Sequence, residues 1–360
     1  MTVYACLDCG RPYGGPAEYR CPDCGGVYGI PAGIQFDPKS INPSLPGIWR
    51  YRDSFGLTSG APNLYRGEGD TPLVEISLEG SWLYLKLESL NPSGSYKDRL
   101  AAVMVSQLAG MGIYQAVEDS SGNAGAAFAA YCAHAGIGAK VYVPESAAGP
   151  KREQIARFGA EVTAVPGPRQ AAADAVLAEV EKGAVYASHA YQPHGLAGVA
   201  TIAYELVDQL GGVPGMVIAP VGHGGLLLGI VLGFQALLAA GLIEMLPKFI
   251  GVQAAMNAPI WAAANVVEFV PGSTVAGGIA VTCPVRGPEL LDLSRRGLVD
   301  FVVVSEEAIQ EGREELAAQG IDAELTSAIV ADAYRQLIAY GKLPEKGDVV
   351  AILSGHGLKQ

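Results

Sequence analysis

The sequence predicts an α/β fold in which parallel strands are buried between helices. Short apolar strands alternate with helical segments along most of the 360 residues. Half of the residues are hydrophobic and only 17% are charged, which is typical of buried parallel strands and Ala-rich helices. A chain of this length can bury a large core, and we expect it to divide into two or more domains.

The elements follow one another in a regular order. Residues 1–30 form a cysteine-bearing head, and residues 31–64, rich in Pro, Gly and aromatic residues, predict an irregular segment. Strands are predicted at 82–88, 116–118, 141–144, 161–165, 185–188, 216–221, 249–255, 301–305 and 348–355. Helices are predicted after residue 97, from 124, at 151–159, up to 182, over the apolar stretch 224–243, and twice between 306 and 347.

The charge and the apolar segments exclude some classes of partner. The net charge of −12, without clusters of Lys or Arg, argues against nucleic acid. The apolar stretch 224–243 approaches the length of a membrane span. It contains several glycines and lies between two predicted strands, so we interpret it as a core helix and expect no membrane partner. No basic segment precedes an apolar run at the N-terminus, so we expect a cytoplasmic protein.

The N-terminal head carries four cysteines in the pattern C-x₂-C-x₁₁-C-x₂-C: Cys6, Cys9, Cys21 and Cys24. Two tight knuckles of this kind can offer four thiolates tetrahedrally, which predicts a structural zinc ribbon. Two disulfides or an empty site are the alternatives. Since the segment has few apolar residues, the metal would supply most of its folding energy. Thiols kept as metal ligands fit a reducing compartment.

Lys97 follows a turn-forming cluster, Asn91–Ser95, and opens an apolar helical pattern. This arrangement holds an amine at the start of a helix. A lysine used as a nucleophile must be positioned and partly desolvated, so that it can react in its neutral form with the carbonyl group of a cofactor. The alternative is an ordinary solvated first helical turn.

Three further segments join a strand to a glycine-containing turn. Ser120–Tyr131 leads through two glycines into an Ala-rich run, and Ala219–Gly229 leads from a strand into an apolar helix. Val349–Lys359 ends a buried strand in Ser354 and a Gly-His-Gly turn. Helix N-termini that follow such turns offer free N–H groups to an anion, such as a phosphate. Each turn alone is also compatible with a simple connection.

Together these motifs resemble the threonine synthase branch of the fold-type II pyridoxal-phosphate enzymes. The resemblance rests on Asn91–Arg99, Ser120–Gly125, the Gly-His-Gly-Gly turn, Glu324–Ala328 and Ser354–Lys359, and it extends from about residue 65 to the C-terminus. It implies two doubly wound parallel-sheet domains with the cofactor between them. The implied boundaries are 1–30 for the ribbon, 31–94 with 186–360 for a large domain, and 95–185 for a small mobile domain. The resemblance also implies a homodimer.

The resemblance implies residue roles as well. Lys97 would attach pyridoxal 5′-phosphate and then take protons from the substrate. Asn123 corresponds to the asparagine that contacts the phenolic oxygen of the cofactor, and Ser354 to the hydroxyl that faces its ring nitrogen. A hydroxyl partner leaves that nitrogen unprotonated, which favours elimination and replacement over transamination. The residues implied to bind the cofactor phosphate through backbone N–H groups are Gly222, His223, Gly224, Gly225 and Leu226. Those implied to bind the substrate carboxylate are Ser120, Ser121, Gly122 and Asn123.

The segment Ser188–Thr201 departs from the pattern of threonine synthases. An arginine and a lysine that help to hold the substrate phosphate in that family are replaced here by Gly195 and Ala200. Anionic phosphates usually require paired cations or several donors. Other cations that could take over are Lys151, Arg152, Arg157 and Arg286, and His189 and His194 are candidates to bind a less charged substrate.

The function that the resemblance implies is a pyridoxal-phosphate-dependent lyase: threonine synthase or a close paralogue. It would convert O-phospho-L-homoserine and water into L-threonine and phosphate. The alternatives are β-replacement on O-phosphoserine, as in cysteate synthase, and β-elimination from a small hydroxy amino acid. A catalytically silent scaffold stabilised by metal is a fourth reading. The presence of Lys97, Asn123 and Ser354 counts against it.

Overall fold

The computed structural model describes residues 1–147 and 149–359. The chain divides into two compact units. Unit 1 comprises Met1–Gly69 and Asn91–Thr201, and unit 2 comprises Asp70–Leu90 and Ile202–Lys359. The boundaries predicted for the ribbon, the large domain and the small mobile domain stay predictions.

The regular elements are numbered along the chain. The strands are β1 (Ala5–Cys6), β2 (Tyr28–Gly29), β3 (Leu73–Leu78), β4 (Ser81–Lys86), β5 (Gln115–Glu118), β6 (Gly138–Pro144), β7 (Glu161–Val165), β8 (Met216–Pro220), β9 (Lys248–Ala254), β10 (Val299–Val304) and β11 (Val349–Ile352). The α-helices are α1 (Lys97–Gly110), α2 (Asn123–Ala135), α3 (Pro150–Arg157), α4 (Arg169–Glu181), α5 (His194–Leu210), α6 (Gly225–Ala239), α7 (Pro259–Ala264), α8 (Gly287–Arg295), α9 (Glu306–Ala318) and α10 (Leu325–Ala339). Short 3₁₀ segments lie at Pro38–Ser40, Gly47–Ser54, Glu88–Leu90, Gly277–Ile279 and Gly357–Lys359.

Unit 1 contains a parallel sheet with the strand order β5-β6-β7. A short extended segment pairs with the free side of β5, where the N–H of Val117 donates to Val185 and the N–H of Ala187 donates to Val117. The chain leaves β5 towards β6 through α2, on the side opposite this segment. The carboxyl end of β5 is therefore a point where connections diverge, and open α/β sheets bind ligands at such points.

Unit 2 contains a larger sheet with the strand order β10-β9-β8-β11-β4-β3. All neighbours in it are parallel except β3 and β4, which pair antiparallel. From β8 the chain passes through α6 to β9 on one side, while β11 lies on the other. The carboxyl ends of β8 and β11 therefore flank the corresponding divergence point of this sheet, and they lead to Gly222 and Ser354.

The apolar helix α6 is shorter than the stretch 224–243 that suggested it. It is buried along most of its 15 residues, as expected for a helix in the core. Within residues 1–147 and 149–359, no helix combines the length and the apolar character that a membrane crossing requires.

Most predicted elements are present, and three differences are informative. The strand predicted at 185–188 is reduced to a bridge between Tyr186 and Val117. The antiparallel edge strand β3 was not predicted, although the alternation of apolar and polar residues from Val74 to Leu78 is typical of a half-buried strand. Helix α5 was not predicted; its first residues include Gly195 and Gly198, and glycine has a low helix propensity.

Candidate functional site

Lys97 is the first residue of α1, and the turn before it is tightly held. The backbone N–H and the hydroxyl of Ser93 both donate to Asp98 Oδ2 at 2.9 Å. Asp98 is fully buried, and Gly94 adopts a φ of +88° that suits glycine. The Lys97 side chain is half-buried, with Nζ 4.8 Å from the centre of the Tyr96 ring. The lysine predicted from the sequence thus follows a well-ordered turn, and its side chain is partly shielded from water.

The loop Ser120–Gly122 leads directly into α2. The first helical hydrogen bond runs from Ala126 N–H to the Gly122 carbonyl at 3.1 Å, so the N–H groups of residues 123–125 precede the helical pattern. Within residues 1–147 and 149–359, no side chain caps this end of the helix. A Cβ at Gly125 would lie 1.9 Å from the Ser120 carbonyl oxygen, which only glycine avoids. The loop therefore presents amides at a helix N-terminus, the arrangement that binds a carboxylate.

Glu118 and His189 meet at the carboxyl end of β5. His189 Nδ1 lies 2.6 Å from Glu118 Oε1, and Glu118 is fully buried. Glu118 Oε2 is buried without a hydrogen-bond partner among the described residues. Burial raises the pKa of Glu118 well above its usual value, and the carboxylate of Asp119 adds to this, whereas Arg169 and Lys97 oppose it. Lys97 is thus within electrostatic reach of the pair.

In unit 2 the glycine turn connects β8 to α6. Gly224 has a φ of +95°, and a Cβ there would approach Leu290 to 2.9 Å. A Cβ at Gly222 would lie 3.1 Å from Ile279 Cα, whereas one at Gly225 would meet nothing within 4 Å. Gly225 is the first residue of α6, so the open space beside it lies at the N-terminus of that helix. Among the described residues, no side chain caps this N-terminus. Backbone amides beside open space fit the phosphate of pyridoxal phosphate.

Ser354 follows β11 and is buried. Its hydroxyl lies 2.9 Å from that of Ser327 at the start of α10. Ser327 accepts from Gly355 N–H at 2.7 Å and donates to the Gly355 carbonyl at 3.1 Å. When the Ser327 proton is on the Gly355 carbonyl side, Ser354 donates to Ser327. When the Ser327 proton turns to Ser354, the Ser354 proton can instead serve a pyridine nitrogen that carries no proton.

Gly195 and Ala200, at which the resemblance to threonine synthases implies cations, are tightly packed here. A Cβ at Gly195 would lie 2.4 Å from Leu100 Cγ, and Ala200 is fully buried. Among the other candidate cations, the buried Arg286 lies 3.3 Å from Glu289, and Arg157 makes an exposed ion pair with Glu153. A long cationic side chain at position 195 would require Leu100 to move.

The four N-terminal cysteines converge. Their sulfur atoms all lie within 4.8 Å of one another, and the pairs Cys6–Cys24 and Cys9–Cys21 lie at 3.5 and 3.6 Å. These distances are far beyond a disulfide bond, and all four thiols are free. Tetrahedral thiolates around zinc, at about 2.3 Å from the metal, are separated by roughly 3.8 Å. The donor set therefore fits a structural zinc ion.

The ribbon contacts the chain segment 186–194 within unit 1. Tyr13 OH donates to Gln192 Oε1 at 2.6 Å, and Arg20 donates to the Tyr191 hydroxyl at 3.0 Å while lying over its ring. The His194 ring packs 4.1 Å from that of Tyr4. Burial lowers the pKa of His194 to about 3, so it stays neutral. This setting supports a packing role for His194 more than a role in substrate binding.

The predicted site residues therefore fall into two sets. Unit 1 holds Lys97, the loop 120–123, His189, His194 and the cysteines, and unit 2 holds residues 222–226 and Ser354. Glu118 and Ser327 were not among the site residues predicted from the sequence, although each contacts one that was. Two sequence features pointed to them: Glu118 lies two residues before the loop that begins at Ser120, and Ser327 lies within the motif Glu324–Ala328.

Comparison with known proteins identifies the family. The sequence profile described as "Pyridoxal-phosphate dependent enzyme" matches residues 64–355. Threonine synthase from Methanocaldococcus jannaschii is 34% identical over 87% of this chain and 80% of that protein. Threonine synthase from Methanosarcina acetivorans is 31% identical, over 91% of this chain and 84% of that protein.

Solved structures agree on the fold. Maize serine racemase superimposes with a TM-score of 0.67 at 23% identity, covering 80% of this chain and 88% of that one. Such a likeness concerns the fold alone. The matched profile, the threonine synthase relatives and the shared fold together assign the chain to the pyridoxal-phosphate-dependent enzymes of fold type II, as a lyase that is a threonine synthase or a close paralogue of one.

Proposed function

We propose that the protein converts O-phospho-L-homoserine and water into L-threonine and phosphate. The observation that carries this proposal is the identity of 29–34% to several proteins named threonine synthase, each over most of this chain. In the overall reaction the Cγ–O bond to phosphate breaks and Cγ gains a proton to become a methyl group. Cβ loses a proton and receives the hydroxyl group of water, and the phosphate leaves with the remaining proton of that water. Pyridoxal phosphate, when bound, supplies the electron sink for such chemistry.

The residues of the chain would divide the work as follows. Lys97 holds the cofactor and moves protons at the substrate Cα and Cβ. The amides of the loop 120–123 bind the substrate carboxylate, and Asn123 contacts the phenolic oxygen of the cofactor. The amides of residues 222–226 bind the cofactor phosphate, and Ser354 contacts the ring nitrogen. Each assignment rests on the resemblance to threonine synthases, supported by the residue type and by its place at a strand end or helix start.

A second function has specific support. Leu100 packs against Gly195, and Ala200 is buried, so the positions that carry phosphate-binding cations in threonine synthases carry none here. This favours a paralogue that performs β-replacement on O-phosphoserine or β-elimination from a small hydroxy amino acid. His189 would then bind the side chain of a less charged substrate.

The ribbon thiols support one structural zinc ion per chain. We expect metal analysis to give one equivalent and Cys9→Ser to lose it, because the remaining three thiolates bind more weakly. Zinc that stays bound at one equivalent per chain in Cys9→Ser would contradict the assignment. A homodimer and a cytoplasmic location are further proposals. The free thiols are consistent with a reducing compartment.

The decisive experiment compares four substrates on protein loaded with pyridoxal phosphate: O-phosphohomoserine, O-phosphoserine, serine and threonine. Threonine and phosphate formed in equal amounts from O-phosphohomoserine would support the first proposal. Turnover of O-phosphoserine or of the hydroxy amino acids, with none of O-phosphohomoserine, would select the second.

A further inference from the structure

We propose that Glu118 is a positioning residue: it holds the His189 imidazole with a proton on Nδ1, so that Nε2 accepts a hydrogen bond from a hydroxyl group or water molecule at the substrate β-carbon. This inference rests on the proposed function, because it takes His189 as a substrate-binding residue. It adds to that function the residue that fixes the orientation and tautomer of the His189 ring, and the kind of group that the ring binds.

The position of the pair supports a role at the site. Glu118 ends β5, and the substrate-carboxylate loop begins two residues later. His189 follows the extended segment that pairs with the other side of β5. The two residues thus reach the same sheet edge from neighbouring parallel segments, and ligands bind at this edge in open α/β sheets.

The contact between the side chains is short and protected. His189 Nδ1 and Glu118 Oε1 are 2.6 Å apart, and the carboxyl group is fully buried. A carboxylate that accepts from one ring nitrogen fixes the tautomer of a histidine, and the other nitrogen then carries the lone pair. A lone pair accepts a hydrogen bond from a hydroxyl group and repels a phosphate oxygen.

The arrangement requires Glu118 in its ionised form, which accepts the proton of Nδ1–H. Burial and Asp119 raise the pKa of Glu118, and Arg169, which lies 3.9 Å from Asp119, opposes this rise. A protonated Glu118 would instead donate to Nδ1 and leave the ring proton on Nε2, which the nitrogen shifts would reveal.

The first test is the protonation of His189 in the cofactor-loaded protein, measured by the ¹⁵N chemical shifts of its ring. The chain has five histidines, so His189→Gln assigns the signal. We expect a neutral ring with the proton on Nδ1 near neutral pH. In Glu118→Gln the amide can either donate or accept, so the signal should shift towards a mixture of tautomers.

The matched control is Glu68→Gln. Glu68 is also a fully buried carboxyl group in unit 1, with a pKa raised by burial, but its partners are Trp49 and Tyr131. This variant should lower the thermal stability while leaving the His189 nitrogen shifts unchanged. A change in both variants would assign the effect to general loosening and overturn the proposal.

The second test is kinetic. We expect Glu118→Gln and His189→Gln each to lower kcat for the physiological substrate about tenfold to a hundredfold, and the double variant to lose little more than either. A protonated Nε2 in the wild type, or additive losses in the double variant, would overturn the inference. If the wild type forms no threonine, the proposed function fails, and the nitrogen shifts alone decide the role of Glu118.

Discussion

The candidate site residues of unit 1 combine reactive side chains with the amides of the loop 120–123, whereas unit 2 offers mainly backbone groups. In unit 1, Glu118 contacts His189 at the carboxyl end of β5 and interacts electrostatically with Lys97. Burial and the neighbouring charges shift the pKa of Glu118. Unit 2 offers the amides of a glycine turn, with Ser354 as its one predicted side-chain contact. The comparison teaches that exchanges of side-chain chemistry should disable unit 1, and that only exchanges of backbone conformation should disable the glycine turn.

The largest effect is expected at Lys97. Lys97→Ala should lower turnover about ten-thousandfold or more, since no other group can replace a lysine that attaches the cofactor. The visible absorbance of the bound cofactor should disappear with it. Lys140→Ala is the control, because Lys140 makes a partly exposed ion pair with Glu161. Retained absorbance in Lys97→Ala would refute the assignment.

The next effect is a pH dependence confined to unit 1. The pKa of His194 is lowered to about 3 in the folded protein from 6.5. Below about pH 6.5 the unfolded chain therefore binds a proton on His194, whereas the folded chain does not. The free energy of unfolding falls as the pH drops below 6.5. At about pH 5 the loss should reach about 2 kcal/mol relative to about pH 8. In His194→Phe, urea unfolding at both pH values should show a loss smaller by that amount. An unchanged difference would argue against a neutral His194.

A smaller effect is expected from the backbone of the glycine turn. Gly224→Ala should weaken cofactor binding about tenfold, because the new Cβ meets Leu290 and the left-handed conformation costs roughly 1–2 kcal/mol. Gly241→Ala is the matched control, with a φ of +70° and open space around the added atom. It should lose similar stability but keep the cofactor dissociation constant. Equal affinity in both variants would remove the turn from the site.

The smallest effect is expected from the side chain within that turn. His223 presents its carbonyl oxygen to Arg286 N–H at 2.9 Å, and its Nδ1 accepts from Val285 N–H at 3.4 Å. The proposal assigns phosphate binding to the backbone, so His223→Ala should change the cofactor dissociation constant by less than about threefold. A loss as large as that of Gly224→Ala would blur the contrast between the two units.

Local signals explain what could be predicted from the sequence. The turn cluster before Lys97, the glycines after β8 and the cysteine spacing are patterns within a few residues, and the corresponding elements are present. The contacts of Glu118 with His189 and of Ser327 with Ser354 join residues 71 and 27 positions apart. No periodicity within one segment encodes such a pairing.

Helix α5 shows how a local signal can mislead. Gly195 and Gly198 look like helix breakers, yet they lie inside the helix. A Cβ at Gly198 would lie 2.1 Å from the Arg99 carbonyl oxygen, and one at Gly195 would collide with Leu100. These glycines are needed for close packing against α1, and that need arises only in the folded chain.

The contact between the ribbon and the segment 186–194 has a consequence for synthesis on the ribosome. Tyr13 and its partner Gln192 are 179 positions apart. At about 5–20 residues per second, the head emerges roughly ten to forty seconds before its partner exists. During that interval the four cysteines of the nascent ribbon lack the packing that the segment 186–194 provides in the folded protein. Early capture of zinc would protect them from oxidation until the rest of unit 1 arrives.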